Sequence, residues 1–209
     1  MKTKIRKRKA NQVSFKIKPF HDLVVFDLET TDLAPADIIQ IAAVRMRDGE
    51  IVEEDSFFSY VKPRQPLDAF IIEYTGITEK DVRNAPWPKE VLPQFFNYCQ
   101  ESLLVAHNGQ SFDIPKLRSV CEQYGLKARK TDSIDSMHLS WKLWGRRKVR
   151  SHGLDAVMAR ANVSKEGIRR HDARGDVLAT ARCVRHMVNE LEKRLEPIAL
   201  NINDCLFPD

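Results

Sequence analysis

The segment Leu23-Val24-Val25-Phe26-Asp27-Leu28-Glu29 limits this chain more than any other. Its first four residues are apolar and β-rich, which marks a buried strand. Two acids then fall within its last three positions. Alternate side chains of a strand share a face, so Asp27 and Glu29 project together while Leu28 points into the opposite layer. Two ionised carboxylates at the end of an apolar strand are costly unless a cation neutralises them. A divalent ion does so, and an all-oxygen set suits Mg²⁺ or Mn²⁺ better than zinc. Taken alone, the pair equally suits a strand end that reaches water.

The rest of the chain supplies a frame for that strand. Ile38 to Met46 reads as a second strand, Asp48-Gly49 as a hairpin turn, and Ile51 to Val61 as a third strand ended by Lys62-Pro63. Helical patterns follow at Asp68–Tyr74, at the capped turn Thr78–Asp81, and at Pro88–Cys99. Leu103 to His107 reads as a strand buried on both faces, and Asp113 to Tyr124 as a helix closed by Gly125. A short fifth strand is expected over Thr131–Asp135. Helices are expected over Met137–Leu143, Leu154–Ala161 and Gly175–Leu195. This order implies an α/β fold: a mixed five-stranded sheet flanked by helices. Residues 1–20 are expected to be a flexible basic leader, 21–195 one domain, and 196–209 an irregular tail.

Two further motifs carry candidate chemistry. His107-Asn108-Gly109-Gln110-Ser111-Phe112-Asp113 links a buried strand to a helix, and His171-Asp172-Ala173-Arg174-Gly175-Asp176 precedes the last helix. Singly, Asp113 and Asp176 also suit helix caps, and His171 suits a solvated loop. Together with Asp27 and Glu29 they form four carboxylates and one histidine. Two-metal phosphodiester hydrolysis needs such a set, because carboxylates hold the paired cations and a near-neutral base takes the proton of the attacking water.

The strings FDLETT (Phe26–Thr31), HNGQSFD (His107–Asp113) and HDARGD (His171–Asp176), with TGIT at Thr75–Thr78, resemble the motifs of the DEDDh, or DnaQ-like, exonuclease family. The pattern is most similar to the proofreading exonuclease of bacterial DNA polymerase III, and it spans roughly Asp22 to Glu190. The resemblance implies a ribonuclease H-like fold and a metal-dependent 3′→5′ exonuclease that releases 5′-mononucleotides from DNA 3′ ends, single-stranded or frayed. The alternatives are an exoribonuclease, or an accessory proofreading or trimming subunit of a larger nucleic-acid complex. The implied cofactor is a pair of Mg²⁺ ions, replaceable by Mn²⁺. Asp27 would bridge both ions, Glu29 and Asp176 would hold the ion that activates water, and Asp113 would hold its ion mostly through water. His171 would be the general base. Leu28, Thr30, Ile77, Asn108 and Phe112 would bind substrate, with Ile77 wedged against the terminal bases. Asp172 receives no role and is expected to be a solvated surface carboxylate. Phe70 suits either the substrate groove or the core.

Composition bounds these readings. Apolar residues make up 43% of the 209, enough for a sizeable core, and net charge is +5. That excess fits a polyanionic partner. Lys2 to Lys9 holds six basic residues and no acid, which suits a phosphate-contacting arm or a solvated leader. Trp141 to Arg150 interleaves two tryptophans with five basic residues, which suits nucleic-acid contact or a core-anchored helix end with a solvated loop. Cys99, Cys121, Cys183 and Cys205 form no CxxC or zinc spacing and read as small buried hydrophobes. No apolar run reaches the roughly 20 residues of a membrane span, and no apolar h-region follows the basic N-terminus. The cytoplasm is the expected location, and no membrane partner is expected.

Overall fold

A computed structural model of the chain describes residues 11–15, 20–31, 36–127, 132–194 and 198–202. The strands are β1 (Asn11–Phe15), β2 (Leu23–Thr30), β3 (Ile38–Arg47), β4 (Glu50–Tyr60), β5 (Leu103–Ala106), β6 (Ser133–Asp135) and β7 (Ile198–Ile202). The helices are α1 (Ala69–Thr75), α2 (Glu79–Val82), α3 (Pro88–Cys99), α4 (Asp113–Gln123), α5 (Ser136–Trp144), α6 (Leu154–Arg160) and α7 (Ala173–Lys193). The central sheet has five strands in the order β4-β3-β2-β5-β6. β3 runs antiparallel to both β2 and β4, whereas β2, β5 and β6 are parallel. The mixed sheet is the one the sequence implies.

Strand alternation sorts the side chains into two cores. Leu23 and Val25 of β2 join Ala42, Val44 and Met46 of β3 under α5, α6 and α7. Val24, Phe26 and Leu28 face the other way, against α3 and α4. Asp27 and Glu29 therefore share the α7 face. Their strand, β5 and β6 all end at the same edge, and in open α/β sheets ligands gather beyond the carboxyl ends of the parallel strands. A smaller core of Ile39, Leu67, Ile71, Ile77 and Val82 holds α1 and α2 beside that edge.

Several expectations need correction. The leader and tail contain a ribbon: β1 pairs antiparallel with β7, with Val13 opposite Leu200 and Phe15 opposite Ile198. Each five-residue strand is too short to announce itself, and its partner lies at the other end of the chain. Residues Lys2–Lys9 and Cys205 lie outside the described residues, as does Thr131 of the expected fifth strand, which is seen as Ser133–Asp135. The last helix begins at Ala173, not Gly175, because the Asp172 carboxylate caps it by accepting the Arg174 N–H. Asp172 is not a solvated surface group: it is only 5% exposed. Phe70 is not core, being 68% exposed. Cys99, Cys121 and Cys183 are buried thiols, as expected. No helix among the described residues is long and apolar enough to cross a membrane.

Candidate active site

A cleft of about 400 Å³ opens at the carboxyl ends of β2, β5 and β6. Its lining includes Asp27, Leu28, Glu29, Asn108, Phe112, Asp113, His171 and Asp176, eight of the ten residues singled out in the sequence. Thr30 and Ile77 are not part of that lining. Thr30 is buried beyond a bulge that shifts the β2–β3 register after Glu29, and Ile77 is buried in the α1–α2 core. Leu28 contributes to the cleft wall while most of its side chain fills the α3–α4 core.

The carboxylates converge from three elements. Ligand oxygens of Asp27, Glu29 and Asp176 lie within 4.8 Å of one another. Asp113 is the first residue of α4, and its Oδ1 accepts the Leu28 N–H at 3.1 Å, which ties α4 to the strand carrying the acid pair. Neither Asp113 nor Asp176 is a helix cap; the caps are Phe112 and Asp172. Both acids lie in the first turn, where the helix dipole favours negative charge.

Packing like charges in a partly desolvated cleft disfavours ionisation. Burial, then the charges of Asp113, Glu29 and Asp176, push Asp27 well above the carboxylate range. Burial and the charges of Asp176 and Asp113 raise Glu29 to about 8. Burial raises Asp113 to about 7, against the opposing hydrogen bonds from its own N–H and that of Leu28. Burial also raises Asp176, opposed by Arg170 and the His171 N–H. Among the described residues the group has one close arginine or lysine, Arg170, whose Nη1 binds Asp176 while its Nε holds Asp155 at 2.7 Å. One guanidinium cannot balance four acids. A cluster of hard oxygen donors with raised pKa values fits hard divalent cations.

His171 reaches the cleft through a constrained loop. Its backbone takes φ +61°, uncommon for a residue with a side chain. Its N–H donates to Asp176 Oδ2 at 3.3 Å. Gly175 makes the loop possible, since a Cβ there would collide with the Arg169 backbone. The imidazole packs on the Tyr74 ring at a centroid distance of 4.1 Å, and Tyr74 in turn stacks on Phe70. On the other side, Asn108 takes φ +61°, and Gly109 lies too close to Ala106 to carry a side chain. Asp135 at the end of β6 fixes this turn by accepting the N–H groups of Asn108 (2.9 Å), Gln110 (3.3 Å) and Met137 (2.9 Å).

Sequence reasoning missed four contributors: Arg170, Tyr74, Asp135 and Gln40. The fully buried Gln40 sits opposite Glu29 on β3, and its Oε1 accepts the Ala173 N–H at 2.7 Å. It thereby fastens the start of α7 to the sheet next to the acid pair. A polar residue inside the apolar run Ile38–Val44 was the available signal for it. Arg170 adjoins a noted histidine and was visible only as part of a basic loop. Tyr74 precedes the TGIT string with nothing local to mark its ring.

Comparison with known proteins agrees with this geometry. The sequence profile of the RNase T-type exonuclease family matches residues 24–184. Among curated relatives, the PolC-type DNA polymerase III of Streptococcus sanguinis is 36% identical over 173 residues, covering 82% of this chain and 11% of that protein. The Streptococcus pneumoniae protein of the same description is 35% identical over 191 residues, covering 89% and 12%. The chain thus spans about a tenth of the length of these relatives. Among solved structures, exonuclease X in complex with 5′ overhanging duplex DNA superposes with a TM-score of 0.63 at 26% identity, covering 82% of this chain and 92% of that one. The nuclease domain of 3′hExo, described as a DEDDh family member bound to rAMP, superposes with a TM-score of 0.71 at 22% identity, covering 88% and 96%, and shares the fold. Matched over most of its described length, the chain belongs to the RNase T-type exonuclease family, as a DnaQ-like DEDDh 3′→5′ exonuclease dependent on divalent metal.

Proposed function

We propose that this chain removes nucleotides singly from DNA 3′ ends, using Mg²⁺ as its metal with Mn²⁺ able to substitute. The observation that carries this reading is the convergence of Asp27, Glu29 and Asp176 within 4.8 Å, with Asp113 tied to their strand and His171 across the same cleft. Asp27, Glu29 and Asp176 would hold the metal directly, and Asp113 would complete the set. When bound, divalent ions supply charge neutralisation at the phosphate and a more acidic water. His171 accepts the proton of the attacking water as its oxygen bonds to phosphorus. The bond from phosphorus to the 3′ oxygen of the preceding nucleotide breaks, that oxygen takes a proton from solvent to become the new 3′-hydroxyl, and a 5′-mononucleotide leaves. The His171 backbone and the Tyr74 ring fix where that base stands. Phe112 and Asn108 form the opposite wall, against which the terminal nucleotide packs.

The DNA preference rests on the likeness to PolC-type polymerases and to an exonuclease whose structure holds duplex DNA. The same likeness supports work beside a polymerase or another nucleic-acid-processing complex, with residues 21–195 as the exonuclease unit. The test uses 5′-labelled DNA and RNA strands of one sequence with Mg²⁺. A ladder shortening from the 3′ end of DNA, with release of 5′-mononucleotides, is expected. Internal cleavage, or faster loss of RNA than DNA, refutes the proposal.

A further inference from the structure

The loop between α5 and α6 carries charge that the catalytic reading leaves unused. From Ser136 to Leu154 the chain holds no acid and five basic residues. Arg146, Arg147, Lys148 and Arg150 are exposed, and none of the four pairs with a carboxylate among the described residues. Arginines elsewhere, such as Arg45, Arg64, Arg170, Arg174 and Arg185, are so paired. The Arg146 guanidinium lies over the Trp141 ring at 4.4 Å, which holds the group in place and leaves its N–H edges available. The loop is also anchored at both ends beside the active cleft. Met137, near the start of α5, and Gly153-Leu154, at the start of α6, all line it.

Distance sets what this loop can reach. At 1.5 Å per residue, α5 carries Gly145 about 12 Å from Met137. Arg150 lies three residues before Gly153, at most about 11 Å of chain from the cleft wall. A stacked strand rises about 3.4 Å per nucleotide. Arg146 to Lys148 thus start about three nucleotides from the cleft wall at Met137, and Arg150 lies no further than that from Gly153, a placement suited to phosphates upstream of the terminal nucleotide.

We propose that Arg146, Arg147, Lys148 and Arg150 form a phosphate track for the DNA strand upstream of its 3′ end, giving the enzyme its grip on substrates longer than a few nucleotides. This rests on the exonuclease reading above and adds a substrate-length dependence that the catalytic residues do not supply. Such contacts release counterions, so each adds about 0.7 to the salt slope on a single strand.

The test is the quadruple variant R146Q/R147Q/K148Q/R150Q in the full chain, assayed on single-stranded DNA of about three and about fifteen nucleotides. On the long strand, KM should rise on the order of 10- to 100-fold at 0.1 M salt, and the salt slope should fall by about 2–3. On the short strand, kcat/KM should match the unaltered enzyme, which also shows that the exonuclease reading holds. The variant R146K/R147K/R150K should keep the long-strand slope. An unchanged slope on the long strand overturns the track. So does equal impairment on both lengths, which would place the loop's effect at the catalytic cleft.

Discussion

Replacing Asp27 by Asn should abolish hydrolysis yet stabilise the metal-free protein. Oxygens of Asp27, Glu29 and Asp176 lie within 4.8 Å, so each ionised pair costs at least about 3.5 kcal/mol at an effective dielectric of about 20. Proton uptake caps that cost. Glu29 goes from an ordinary 4.5 to about 8, so holding it ionised or protonating it at pH 8 destabilises the fold by at most about 5 kcal/mol. Arg170 offsets part of this through Asp176. Removing the Asp27 charge should therefore return about 2–4 kcal/mol, or roughly 5–15 °C in Tm for a chain of this size. The sign with pH follows from the direction of the shifts. Glu29 and Asp113 are raised, to about 8 and about 7, so their contribution to stability is fully present below their ordinary values and lost as pH rises through 7–8. The gain from Asp27→Asn should be largest at pH 8 and shrink to about 1 kcal/mol near pH 5.5. Thermal melts in chelator at both values measure it, and excess Mg²⁺ should reverse the order by stabilising only the unaltered protein. A chelated variant that melts at or below the unaltered protein at pH 8 refutes the electrostatic account of the cluster.

Three other perturbations probe the surroundings of the acids. Arg170→Ala removes the guanidinium paired with Asp176, so it should tighten Mn²⁺ binding measured by calorimetry while lowering the chelated Tm at pH 8; weaker Mn²⁺ binding would count against Arg170 as a competitor for Asp176. Tyr74→Ala takes away the ring on which His171 packs, and kcat should fall about 10-fold or more with the metal affinity unchanged, as expected for misplacement of a base. Gln40→Leu leaves the Ala173 N–H and part of the Asp172 carboxylate without their buried partner, and should cost about 1–3 kcal/mol in denaturant melts whether or not metal is present.

Local pattern revealed the elements whose causes are local. Alternation in Leu23–Glu29 placed both acids on one face, and the helices around Leu117 and Phe95 followed from their apolar stripes. The carboxylate set was legible because three short strings carry it. What was hidden depends on partners far apart in sequence. The β1–β7 ribbon joins the two ends of the chain, and Gln40 meets Ala173 across more than a hundred residues. Asp172 was misjudged for the same reason. With His171 before it and Arg174 two residues after, it looks solvated, and only the return of α7 against β3 buries it. Phe70 had two readings, core or substrate groove, and its exposure excludes the core.

Asp172 also explains why burial alone does not mark the metal site. Burial works to raise its pKa, but hydrogen bonds from the Arg174 guanidinium and N–H outweigh it and hold the carboxyl below its ordinary range. Asp135 is buried with three backbone N–H donors, and Asp37 accepts from the Arg64 side chain and N–H. These three acids have donors aimed at their oxygens and serve as fixed structural anchors. Asp27 and Glu29 are different: among the described residues no side-chain or backbone donor binds either carboxylate. Asp113 and Asp176 fall between the two groups, since the Leu28 N–H binds the first while Arg170 and the His171 N–H bind the second. The open oxygens of Asp27 and Glu29 suit this cluster to a cation better than burial alone would, because an unsatisfied oxygen gains more from a metal than one that must first give up a hydrogen bond.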